Sequence, residues 1–109
     1  MRSLFAGILI FASATALHAE TIETKYCGSF EIAPFNCEDV TRSSLIKRIC
    51  YDAQRDLILL NLKGINYCKC GLGVGKVQEL KTAPSMGRYF NTDLKGRFHC
   101  IGIDSRFPK

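Results

Sequence analysis

Tryptophan is absent from the 109 residues, proline occurs three times and histidine twice. There is no Cys-x-x-Cys pair, no Gly-x-Gly-x-x-Gly turn, no Walker lysine, and no apolar run reaching the ~20 residues that span a bilayer. These absences argue against a dithiol oxidoreductase, a dinucleotide or nucleotide fold and a membrane helix. Length argues against a multidomain enzyme. Repeats, low-complexity tracts and long linkers are also missing, and a 47% hydrophobic composition with nine glycines excludes disorder and collagen. What is abundant is cysteine, with six in one short chain.

The first residues read MRSLFAGILIFASATALHA. Arg2 supplies a positive start, an apolar run of about 14 residues follows, and Ala19 is a small residue suited to cleavage. The reading is a signal peptide at 1–19, and hence a secreted or periplasmic protein without a membrane span after cleavage. All six cysteines and His99 lie beyond it. Charge is uneven: residues 20–39 hold five acids against Lys25, although the whole chain carries +5. A domain this small buries only about 60% of its unfolded surface, so covalent staples matter.

Residues 20–40 mix polar and apolar positions around Pro34 and read as one strand plus a turn. Leu45 to Tyr51 alternates loosely, LILLNL at Leu57 to Leu62 has strand length, and alternation resumes from Ile65 to Cys70 after Gly64. Short runs joined by turn residues predict a three-stranded antiparallel meander. Beyond Gly73 the period lengthens. Val74, Val77 and Leu80 predict a short helix ended by Pro84, and Ser85 is placed to cap a second one through Leu94, closed by Gly96. Arg97 to Ile103 is expected to form a last strand. The fold class is therefore α+β, disulfide-stapled: an N-terminal strand, the meander, two short helices and a C-terminal strand.

An even number of cysteines in an exported chain argues for disulfides, and six allow 15 connectivities. Zinc sites favour Cys-x₂₋₄-Cys spacing, which is absent. Cys68 and Cys70 lie about 6.6 Å apart along one strand face, the outer limit for a bond, so each needs a distant partner. Gly71, Gly73 and Gly75 precede the first helix at a spacing that reads as an ordinary turn. His99 and Cys100 are neighbours on the expected strand and point to opposite faces, so they make no nucleophilic pair. No catalytic residue, metal site or cofactor is expected.

The segments SSLIKRICYD, Gly64 to Tyr67 and SMGRYFNTDLKG resemble the KTSC domain, roughly over Ser43 to Phe98. Ser85, Gly87, Tyr89, Phe90 and Asn91 carry the most specific part of the likeness. That family is named for its occurrence at the C-terminus of some lysyl-tRNA synthetases and also exists as a stand-alone bacterial domain. Its function is unknown, RNA binding has been proposed, and it brings no catalytic residue. Its central Tyr-x-Tyr falls on Tyr67 and Lys69. The resemblance to exported single-domain relatives implies Cys37–Cys50 and Cys70–Cys100 bonds, leaving Cys27 with Cys68. Loops of about 14 and 31 residues would each give ~3–4 kcal/mol in the chain-entropy model. The division that follows is a signal peptide (1–19), an extension with Cys27 and Cys37 (20–42), the KTSC-like domain (43–100) and a tail (101–109).

The expected function is that of a non-catalytic binding or structural module. Its candidate surface joins Tyr67, Lys69, Arg88, Tyr89 and Asn91. An envelope or extracellular protein or an anionic polymer would be the partner. The alternative is nucleic-acid binding through scattered basic residues with Tyr67 and Tyr89, because cations interleaved with exposed rings suit single strands.

Overall fold

The computed structural model describes residues 20–109, so the expected signal segment and its cleavage point lie outside the described residues. Two short strands, β1 (Thr21–Glu23) and β2 (Ser29–Glu31), form an N-terminal hairpin. Strands β3 (Asn36–Asp39), β4 (Ile46–Asp52), β5 (Leu57–Leu62) and β6 (Ile65–Cys70) then form one antiparallel sheet in the order β3-β4-β5-β6. The meander is where the sequence placed it. The single strand expected at 20–40 is instead three strands of three or four residues, too short to show a period.

The β5 sequence is apolar throughout because both faces of this inner strand are covered. Ile58 and Leu60 join Ile46 and Ile49 under the helices, while Leu57 and Leu59 face Cys50, Cys68 and Cys100 on the other side. Alternation vanishes when neither face meets water. The β5–β6 connection is the two-residue turn Lys63-Gly64, with φ of 54° and 98°. Both values lie in the left-handed region that a tight hairpin of this twist requires.

Helix α1 (Val74–Thr82) buries Val77 and Leu80 on the sheet, and Pro84 follows its end. Val74, expected in the same apolar stripe, is instead 62% exposed. Helix α2 (Met86–Tyr89) starts at Ser85, whose hydroxyl accepts the Arg88 amide, and runs on into a π-helical turn over Phe90–Leu94. Met86, Phe90 and Leu94 complete the helix-side core.

The strand expected over Arg97–Ile103 does not form, and the chain turns there instead. Gly96, Phe98 and Gly102 hold φ of 73°, 60° and 85°, which no extended strand accommodates. The tail curls back beneath the sheet, where the Ser105 amide donates to the Tyr26 carbonyl of the N-terminal segment.

Three disulfides fix this arrangement: Cys27–Cys68, Cys37–Cys50 and Cys70–Cys100. Cys37 and Cys50 are register partners across β3 and β4, with Cα atoms 4.0 Å apart. Cys68 and Cys70 share one face of β6 and bond away from each other, one to the N-terminal segment and one to the tail. No cysteine is free, which suits an oxidising compartment. No described helix is long and apolar enough to cross a membrane.

Candidate functional site

Strand β6 is an outer strand of the sheet, and its register places Tyr67 opposite Leu60 and Lys69 opposite Ile58. Both side chains therefore rise on the helix-bearing face, as a two-residue period demands. Along the free edge, the Asn66 carbonyl accepts the Lys25 amide and the Cys70 amide donates to the Phe98 carbonyl. Between these two ties a cleft of about 530 Å³ opens. Tyr67, Lys69, Phe90, Asn91, Lys95 and Arg106 line it, with apolar wall from Leu45 and Leu62 and with His99 at its side.

Lys69 is the unusual member. It is only 8% exposed, and its Nζ donates to the Arg97 carbonyl at 2.7 Å and sits 5.9 Å from the Phe90 ring centre. Among the described residues no carboxylate lies within ion-pair distance of it. Burial pushes its pKa below the ordinary lysine value, and the positive Arg106 adds to the shift against the opposing pull of Asp104. A buried cation without a counter-charge is costly.

Arg106, by contrast, is committed. Its Nε and a terminal nitrogen donate to the two carboxylate oxygens of Asp104, at 3.0 and 2.7 Å, and its guanidinium lies 3.7 Å from the Tyr26 ring centre. Asp104 is 1% exposed. The Arg106 hydrogen bonds hold its pKa below the carboxylate range, outweighing the opposing effect of burial. Tyr26 in turn packs near Tyr67, with centroids 6.3 Å apart. One aromatic–cation column thus braces the cleft from the tail side.

The five candidate residues do not form one surface. Tyr67, Lys69 and Asn91 meet at the cleft, while Arg88 and Tyr89 flank a separate hollow with Pro84 and Thr92. Tyr89 and Asn91 are two helical positions apart, so they face different ways. The Tyr89 hydroxyl donates to Glu79 at 2.7 Å and accepts from Lys76 at 3.4 Å. Burial and this Glu79 contact raise its pKa to about 12. The ring is pinned against α1.

Lys95 enters the cleft from the end of the SMGRYFNTDLKG segment, whereas His99 and Arg106 enter from beyond that segment and carry no motif. Their signal was Cys100: tied to Cys70 at the end of β6, it draws the flanking tail to the strand edge. The glycine run before α1 is a turn that the chain fills itself. The Asp56 carboxylate accepts the Gly73 amide, at 3.0 and 3.1 Å from its two oxygens, and also the Tyr51 hydroxyl at 2.8 Å. Asp56 so supplies the negative charge that a helix N-terminus favours. His99 stacks on Phe107 with centroids 3.8 Å apart, and Cys100 is bonded to Cys70, so the two make no nucleophilic pair.

No curated protein matches the chain. The family model described as KTSC domain matches residues 42–98, more than half of the sequence, from the approach to β4 through Phe98. The match takes in the meander, both helices and the Tyr67–Lys69 side of the cleft, and the chain belongs to the KTSC domain family.

Proposed function

We propose that this KTSC domain protein is an exported, non-catalytic binding module whose ligand seats in the cleft beside β6. The observation that carries the reading is the convergence there of Tyr67, Lys69, Phe90 and Asn91 around about 530 Å³, within the usual range of ligand sites, about 300–1,000 Å³. Export rests on the leader-like first 19 residues and agrees with complete disulfide pairing.

Nucleic-acid binding ranks second. Arg88 is exposed, but Tyr89 is held by Glu79 and Lys76 and is poorly placed to stack on a base. An NMR titration of the oxidised protein with small anionic and neutral solutes and with a single-stranded oligonucleotide tests both readings. Shifts concentrated at Tyr67, Lys69 and Asn91 support the cleft. Shifts at Arg88 and Tyr89 with the oligonucleotide, lost steeply with salt, would transfer the function to the other face.

A further inference from the structure

Among the described residues, five of the 14 Lys and Arg side chains stand in ion pairs, Arg48 with Asp39 among them. Arg55 pairs with Asp52, Lys81 with Glu38, and Lys76 lies between Glu79 and Asp93. Arg106 is forked onto Asp104. Lys69 stands apart from the other unpaired cations among the described residues, because it alone is buried, by nine-tenths; it lines the cleft and spends one of its three donors on a neutral carbonyl. Two donors remain, together with a full positive charge in a poorly solvated place. The group that satisfies both is an oxyanion brought by a ligand.

We propose that the cleft binds a small amphiphilic carboxylate, with its headgroup on the Lys69 ammonium and its apolar body against Phe90, Leu45 and Leu62. This deepens the proposed function and rests on it. A monoanion fits because the cleft holds one buried cation in excess. The charge of Arg106 is already cancelled, and Lys95 is exposed at the rim, where water and salt screen it. A phosphate dianion would bring a second charge with no buried partner. The walls exclude a purely polar ligand for the complementary reason, since leucine and phenylalanine surface gains nothing from one. Lys95 contributes attraction at the mouth rather than affinity at the bottom.

The probes are hexanoate, hexanamide and inorganic phosphate, titrated into the oxidised protein and followed by backbone amide and lysine side-chain NMR. Hexanoate is expected to shift Tyr67, Lys69, Phe90 and Asn91, and hexanamide, of the same shape without the charge, to bind at least tenfold more weakly. Phosphate is expected not to displace hexanoate at equal concentration. In Lys69→Met the preference for hexanoate over hexanamide should fall to near one, with the amide spectrum elsewhere unchanged. In Lys95→Ala the affinity should drop by no more than about threefold at physiological salt. The probe comparison in the unmutated protein does not depend on the folding of either variant. Equal binding of hexanamide, tighter binding of phosphate, or an undiminished preference in Lys69→Met would each overturn the carboxylate assignment and leave the cleft reading standing. Silence of the cleft toward every solute tested would overturn both.

Discussion

Replacing Lys69 by methionine is expected to make the ligand-free protein more stable. Methionine keeps the aliphatic stem against Phe90 and deletes the ammonium. The loss is one charge-assisted hydrogen bond to the Arg97 carbonyl, 2.7 Å long, of a kind worth about 1.5–3 kcal/mol. Arg97 is exposed, so its carbonyl recovers water and part of that loss is returned. The gain is the desolvation cost of a cation that is 8% exposed and has no carboxylate within ion-pair distance among the described residues, a cost of several kcal/mol. Apolar replacement of a whole buried ion pair is often stabilising by about 1–4 kcal/mol, and here, with one charge removed and one hydrogen bond lost, the net gain is expected near 1 kcal/mol at pH 7. The effect has a pH signature. The Lys69 pKa is lowered in the folded state, while the unfolded lysine titrates near 10.4. Between those two values the unfolded chain binds more protons, so the stability of the unmutated protein climbs with pH. The variant lacks that climb, and the gap should close toward pH 10, with tyrosine titration cancelling in the difference. Urea unfolding at pH 7 and pH 10 measures both quantities. A variant less stable by 1 kcal/mol or more at pH 7, or a gap independent of pH, would refute the description of Lys69 as an uncompensated buried charge.

Thiol labelling of the denatured, unreduced protein should find no free cysteine, and peptide mapping should recover Cys27–Cys68, Cys37–Cys50 and Cys70–Cys100. Replacing both Cys27 and Cys68 by alanine should cost ~4 kcal/mol, against ~3 for Cys37 and Cys50, because their separations are 41 and 13 residues. Leu60→Ala, at a fully buried position, should lose about 3–4 kcal/mol in urea unfolding, whereas Ile65→Ala, at a 44% exposed one, should stay within about 0.5. Asp104→Asn should cost about 2 kcal/mol at neutral pH. The Asp104 pKa is depressed, so this stability is present above the unfolded carboxylate value and lost as pH falls through the folded one. An acid titration monitored by circular dichroism should therefore show a shallower loss in the variant.

The parts legible in the sequence are those whose physics is local. LILLNL carried its strand in its length, and Ser85 announced the second helix because a hydroxyl that accepts the Arg88 amide is a local device. The expected C-terminal strand does not form for the opposite reason. Its apolar residues suggest extension, but Gly96, Phe98 and Gly102 turn the backbone, and long-range ties to Cys70 and Tyr26 decide its course. The candidate site divides in the same way. Tyr67 and Lys69 share a face by strand period, which the sequence shows. The separation of Asn91 from Tyr89 is also local, because residues two apart on the second helix point different ways. Arg106 and His99 reach the cleft only through the tail's return, a long-range path set by the Cys70–Cys100 bond that no local pattern carries.

The most direct test of the account is the pKa of the Lys69 ammonium, read from its side-chain carbon shifts in the free protein and again with hexanoate at saturation. The account predicts a value below that of ordinary lysine in the free state and a rise on binding, because the carboxylate supplies the missing counter-charge. An ordinary value in the free protein, or one that hexanoate leaves unmoved, would contradict it.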